Sequence, residues 1–368
     1  GRVREGHALF AAAARRLEAA GAALVPARAA CLRAAALLLY RDSRYDEAER
    51  EATVGLALAD ALQDRDDIKG CLNTRALSRW MQARLPEARQ DAERACAMAR
   101  QDDDSAGLAV LASTLALIHK RNGDWAEAEA VFTECLALHR ETGNRMGEMV
   151  TLGNLGNLCL VQGRVAEAQA AYEQQMAIAE RQGWRSQRAF ALANLVRARL
   201  AMGDLAAADT LLDRAWQDTV SGGEPTLLGF LALYRAQSAL LSARLADAAG
   251  CLAFGLRLSL ALAVPTVLLE GLALHARWCL ACGDADTARV SHGLAAADAR
   301  LHAELRAELD ADRARHPALA SAGPAEPRPD LRAWVEQQCA ALQTAAGERQ
   351  IPWPVEKLTA SGGAGTPG

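Results

Sequence analysis

A chain of 368 residues that is 51% hydrophobic but only 4% aromatic must fill its interior with Ala and Leu, which helices tolerate best and which let helices approach closely. A net charge of -4, with lysine confined to Lys69, Lys120 and Lys357, gives no basic field for a phosphate backbone, so no nucleic acid is expected as a direct partner. The nine cysteines are odd in number and scattered without a secretory leader, which points to reduced thiols and a cytoplasmic setting, and the richest apolar stretch, Cys251 to Val264, is broken by Arg257, so no membrane contact is expected.

Length alone allows two or three globular domains, but landmarks return at a fixed step of forty residues. Ala48, Ala88, Ala128, Ala168, Ala208, Ala248 and Ala288 share one register. Five residues earlier stand Ser43, Ala83, Gly123, Gly163, Gly203, Ala243 and Gly283, and three earlier Tyr45, Leu85, Trp125, Val165, Leu205, Leu245 and Ala285. A small residue, a polar one, a bulky apolar one and then an acidic–Ala pair is how a helix stops, turns and restarts against its partner. Fixed-period self-similarity of this kind is the signature of a solenoid. The predicted fold class is all-α, a right-handed α-solenoid of stacked antiparallel helical hairpins.

In chain order, residues 1–24 read as a half-unit or an N-terminal capping helix over 5–21, because His7-Ala8 lies forty residues before Glu47-Ala48; with Gly rather than Met at residue 1, the chain reads as part of something longer. Residues 25–316 read as seven hairpins. Pro26 opens the first, with helices over 27–41 and 45–62. The second covers 65–103, its turn carrying Pro86 at a helix start, where the missing N–H costs nothing. The third covers 105–143, and Asp124 and Glu127 have the spacing of a capping box, with Asp204 and Asp284 repeating the cap position. Later units begin near 145, 185, 225 and 265, the last two at Pro225 and Pro265. After Ala285 the pattern predicts one long, increasingly charged capping helix to about residue 316. Residues 317–330 carry four prolines and read as a linker, 331–346 as a short amphipathic helix that folds back on the array through Trp334, Val335 and Leu342, and the chain from Gly347 as disordered.

With Ala168 set at the small position of the second helix, the small position of the first falls on Ala36, Ala76, Ala116, Gly156, Val196, Ala236 and Ala276, and an aromatic position of the second on Phe132 and Tyr172. On these residues, and on the LGNLG…QGR…EA…Y order around Gly156, the chain resembles the tetratricopeptide repeat family over residues 28 to 300. The likeness is to its longer, forty-residue repeats, as in bacterial regulators and spindle-orienting scaffold proteins; HEAT and armadillo units also lie near forty. The aromatic position is Ala52, Ala92, Leu212, Leu252 and His292 in the other units, and Gln175 stands where a small residue is usual.

The resemblance implies that the first helices line a concave groove. Periodicity then places Asn154, Asn194 and Tyr234 at one level, and Asn157, Arg197, Gln237 and Arg277 three residues on. Asn and Gln both donate and accept, as an extended peptide backbone requires, and Arg can hold a carboxylate with two hydrogen bonds. The same side chains could instead solvate the face or join neighbouring helices. No catalytic constellation and no metal or cofactor site is expected: Cys279 and Cys282 lack a second pair, and His119, His139 and His275 lack metal spacing. The expected function is non-enzymatic, a module that binds protein or extended peptide in its groove, as the sensing or docking region of a larger bacterial regulatory protein. An assembly scaffold is the first alternative, and a helical-repeat phosphatase acting on a response regulator is the second.

Overall fold

At twelve described turns along the repeats a helix ends where one residue enters left-handed backbone geometry. Ser43, Gln63, Ala83, Asp103, Gly123, Gly143, Gly163, Gly183, Gly203, Ala243, Ala263 and Gly283 all have φ between 52° and 90°. The step is therefore twenty residues, half of the forty read from the sequence, because the turn within a hairpin and the turn between hairpins are built alike. At Gly163 the backbone N–H bonds Leu160 O and that of Arg164 reaches back to Cys159 O at 2.8 Å, satisfying carbonyls that the helix end leaves open. The computed structural model describes residues 2–19, 21, 24–222, 224–298, 301, 303–319 and 330–347; the linker residues 320–329 and the expected disordered tail lie outside them.

Seventeen α-helices and no strand occur among the described residues. A lone α1 (Arg2–Ala19) precedes the pairs α2/α3 (Val25–Arg41, Tyr45–Leu62), α4/α5 (Arg65–Met81, Leu85–Gln101), α6/α7 (Ser105–Asn122, Trp125–Glu141), α8/α9 (Arg145–Val161, Val165–Gln182), α10/α11 (Arg185–Ala201, Leu205–Gly222), α12/α13 (Pro225–Leu241, Leu245–Leu262) and α14/α15 (Pro265–Ala281, Ala285–Ala297). Then follow α16 (Ala303–Arg315), a 3-10 turn (Pro317–Leu319) and α17 (Leu331–Ala346). The bulky residues of the repeat, Tyr45, Leu85, Trp125, Val165, Leu205, Leu245 and Ala285, each open the second helix of a pair.

Two expectations are corrected. The single capping helix after Ala285 is two helices: Asp298 is extended (φ -73°, ψ 129°), which ends α15 and lets Leu301, Leu305 and Leu309 turn into the core. At Asp124 the side chain does not cap α7 but accepts hydrogen bonds from Asn122 and lies 3.5 Å from His119. Asp204 and Asp284 do cap, and Asp64, Asp104 and Asn144 cap the first helices α4, α6 and α8 at a step of forty residues.

The chain forms two compact units, Gly1–Ile178 with His302–Glu304, and Ala179–Leu301 with Leu305–Gly368. In each, consecutive helices pack as neighbours, and first helices also touch the first helix of the next hairpin: α2 with α4, α4 with α6, α6 with α8, and, in the second unit, α10 with α12 and α12 with α14. No pair of successive second helices in the described contacts comes as close, so within a unit the first helices form the tighter layer.

Packing follows from residue size. The seven alanines from Ala48 to Ala288 are all at 0% exposure, where only a methyl group fits between paired helices. Within a hairpin, side chains sixteen residues apart face each other, as Arg75 with Asp91 and His275 with Ser291 show. Gly156 and Tyr172 share that spacing, and a Cβ on Gly156 would stand 2.3 Å from the buried Tyr172 ring. Gly153 similarly makes room for the buried Gln175, its absent Cβ leaving space for the Gln175 amide. Helix α13 is long and apolar enough by composition to cross a bilayer, but here its surface is shared among α12, α14 and α17.

These contacts set three expectations. Ala243→Gly, at φ 57°, should raise stability by about 1 kcal/mol, and Gly163→Ala should lower it by a similar amount, both read as shifts in urea midpoint at constant slope. Gly156→Leu should cost about 2 kcal/mol or more through overlap with Tyr172, and a double variant with Tyr172→Ala should recover part of the loss in a double-mutant cycle. Burial lowers the pKa of His275 to about 4, against about 6.5 in an unfolded chain. Its stabilising contribution is thus present above about pH 6.5 and lost as pH falls towards 4, amounting to about 2 kcal/mol by pH 5. Urea melts of His275→Asn should show a shallower pH dependence across this window than the parent chain.

Candidate functional site

The exposed side of a first helix repeats through the positions i, i+4, i+8 and i+11, one surface row on a helix of 3.6 residues per turn. On α10 this row reads Ser186, Phe190, Asn194 and Arg197, and on α12 it reads Thr226, Phe230, Tyr234 and Gln237. Phe190 is 43% exposed, although a phenylalanine at such a helix position ordinarily turns inward. Phe230 is half-buried, with its ring centroid 6.4 Å from that of Tyr234. The first unit carries the same row on α6 and α8, where Val110 and Val150 are 49% and 48% exposed. Residues 110, 150, 190 and 230 keep the forty-residue step, so the apolar rung was present in the sequence but indistinguishable there from core.

The seven predicted residues are all half-buried. Asn154 and Asn157 stand on α8 in the first unit; Asn194 and Arg197 on α10, Tyr234 and Gln237 on α12, and Arg277 on α14 belong to the second. Asn157 and Arg277 each meet a named partner within the fold. Asn157 Oδ1 accepts the Tyr172 hydroxyl at 2.8 Å, which satisfies the buried phenol. Arg277 donates to Asp312 at 2.6 Å and Glu308 at 3.1 Å on α16, so the carboxylates it binds are the chain's own. Burial works against the Arg277 charge, but these two carboxylates hold its pKa above the usual guanidinium value. On α10 and α12, Asn194, Arg197 and Gln237 lie on the same surface row as Phe190, Phe230 and Tyr234, all of them half-buried except the exposed Phe190.

Groups suited to chemistry are closed in. Ser291 Oγ and His275 Nδ1 lie 2.9 Å apart, the spacing of a nucleophile and its base, but they are 0% and 1% exposed and no substrate reaches them. Cys279 packs against the same imidazole, with its pKa pushed up to about 12 by burial, whereas Cys282 is exposed at the end of α14. Lys69 is buried too; burial opposes its charge, yet hydrogen bonds to Asp104, Asp66 and Asp102 keep its pKa above the ordinary lysine value. Among the described residues, no group of three or more His, Cys, Asp or Glu side chains could hold a metal ion.

Residues 111–146 and 151–183 match the tetratricopeptide repeat. No curated protein matches the sequence. Among solved structures, the apo form of RapI is similar with a TM-score of 0.59 and 10% identity, over 76% of this chain and 97% of that one. The quorum sensor NprR from B. thuringiensis, also in its apo form, gives 0.57 and 14% identity over 73% and 75%. A Rap protein complexed with Competence and Sporulation Factor gives 0.55 and 12% identity over 87% and 80%. At these identities the likeness is one of fold. The chain thus has the helical-hairpin solenoid fold of these proteins, and its segments 111–146 and 151–183 match the tetratricopeptide repeat itself.

Proposed function

We propose that the chain is a peptide- or protein-binding module whose site in the second unit is the first-helix face of α10 and α12, acting as the sensing or docking region of a bacterial regulatory protein. The observation that carries this reading is the pairing, on each of those helices, of an aromatic side chain with an amide one turn further on: Phe190 with Asn194, and Tyr234, itself against Phe230, with Gln237. Packed helices lie roughly 10 Å apart, so the two rows meet side chains about three residues apart on an extended ligand. The amides would hold its backbone, the rings its apolar side chains, and Arg197 an acidic group. The regulatory context rests on fold likeness to Rap and NprR, one of which is a quorum sensor and one of which was solved with a signalling factor.

The test is a selection from a linear peptide library followed by titration of the enriched peptides. Asn194→Ala with Arg197→Ala, and separately Phe190→Ala, should each weaken binding by roughly 1 to 3 kcal/mol while leaving helicity and the urea midpoint nearly unchanged, since half-exposed side chains contribute little to folding. Gln217→Ala, on the exposed side of α11, should have no effect. Enriched peptides that lose affinity with Gln217→Ala but not with the α10 variants would move the site to the second-helix face and favour the scaffold reading.

A further inference from the structure

The second helices carry a surface row of their own, and at α13 it changes character. At the first of three positions spaced by forty residues, α7, α9, α11 and α13 have Ala130, Ala170, Thr210 and Gly250; at the next, Thr133, Glu173, Asp213 and Ala253; and at the third, Glu134, Gln174, Arg214 and Phe254. In the first three helices these positions face solvent or are half-buried, and in the first unit Arg100 reaches Glu134 and Arg140 reaches Gln174 across neighbouring second helices. In α13 all three are buried. Phe254 packs against Trp216 of α11, with ring centroids 5.8 Å apart, and Ala253 is covered by α17. Its Val335, Cys339, Leu342 and Ala346 form one apolar stripe at helical spacing, closed into the same core as Cys251, Ala253 and Leu256. Cys339 Sγ comes within 3.8 Å of Ala253 O, and Trp334 Nε1 lies 3.4 Å from Ser291 Oγ on α15.

Helix α17 is no member of the repeat. It lies on α13, one second helix back from α15 of the last hairpin, rather than continuing the stack as α16 does by taking Arg277 of the preceding first helix. Its remaining surface is polar, with Arg332 paired to Glu336. A repeat helix is held on both sides by the hairpins before and after it, whereas α17 adds one face only to a surface that the repeats have already built. That surface accepts a helix because the charged side chains that would hold one off, Glu173 in α9 and Asp213 in α11, are replaced at Ala253 by a methyl group. We propose that the outer face of α13 is a docking groove for a single amphipathic helix, occupied in cis by α17 and open to exchange with a partner helix of about four turns carrying the same uncharged apolar stripe. This surface lies on the second helices, so the inference stands independently of the peptide face on α10 and α12.

The experiment keeps the full chain. A protease site is placed within residues 320–329, the purified protein is cut, and a fluorescent synthetic peptide of residues 330–347 is added. The labelled peptide should enter the cut protein and be competed out by unlabelled peptide, with the same peptide carrying Leu342→Asp about a hundredfold weaker. In the uncut chain, Ala253→Glu, which writes at α13 the residue type of Glu173, should strip hydrogen-exchange protection from α17 while α10 to α14 keep theirs. Failure of the labelled peptide to enter, or loss of protection throughout the second unit with Ala253→Glu, would show that α17 is an integral core element and overturn the proposal. Sedimentation of the uncut chain as a dimer that Ala253→Glu dissociates would also overturn it, by assigning the groove to α17 of a second copy.

Discussion

The close approach of two helices within each hairpin is the constraint on which the rest depends. A residue on the first helix faces the residue sixteen positions later, and the space between the helices admits one large side chain or two small ones. Gly156 opposes Tyr172, Ala116 opposes Phe132, Val196 opposes Leu212, and Ala76 opposes Ala92, every one of them buried. Where the aromatic is absent, Val196 and Leu212 divide the volume between the two helices, and Ala76 with Ala92 leaves two methyl groups at the contact. Helices α2 to α14 are each 17 or 18 residues long, and with a short turn after each the left-handed residue returns every twenty positions.

The same geometry leaves one row of each first helix and one row of each second helix at the surface, less constrained by packing than the core between them. Their composition varies from helix to helix accordingly. On the first helices of the second unit the row is aromatic and amide; on the second helices of the first unit it is charged. Asp60 with Arg94, Arg100 with Glu134, and Arg140 with Gln174 make polar bridges between successive second helices, each spanning thirty-four residues. Such pairs contribute little to stability individually. They do keep that surface solvated, and they show that many of the arginines are placed by the repeat, not scattered over it.

Where this solvated row is interrupted, at Ala253, the chain supplies its own cover. An 18-residue helix with a mean hydropathy of 1.5 would otherwise present an apolar face to water. The cost of that exposure accounts for a helix outside the repeat returning to lie on α13.

Much of this architecture is fixed by sequence alone. Ala, Gly and bulky residues at a forty-residue step determine helical hairpins, because only that spacing brings small side chains to the helix contact and turn residues to the helix ends. The start of every second helix, from Tyr45 to Ala285, could be read directly. The candidate site was half legible: Asn194, Arg197, Tyr234 and Gln237 stand out as polar residues in an apolar chain, whereas Phe190 and Phe230 do not, since an apolar residue at helical spacing reads as core until the tertiary structure shows what covers it. Partnership was likewise decided only by the fold. Asn157 meets Tyr172, and Arg277 meets Asp312 and Glu308, because the break at Asp298 turns α16 back against α14. Periodicity fixes which residues are equivalent from repeat to repeat. Which of them keep a face to solvent depends on long-range contacts, and those depart from the repeat at α16 and α17.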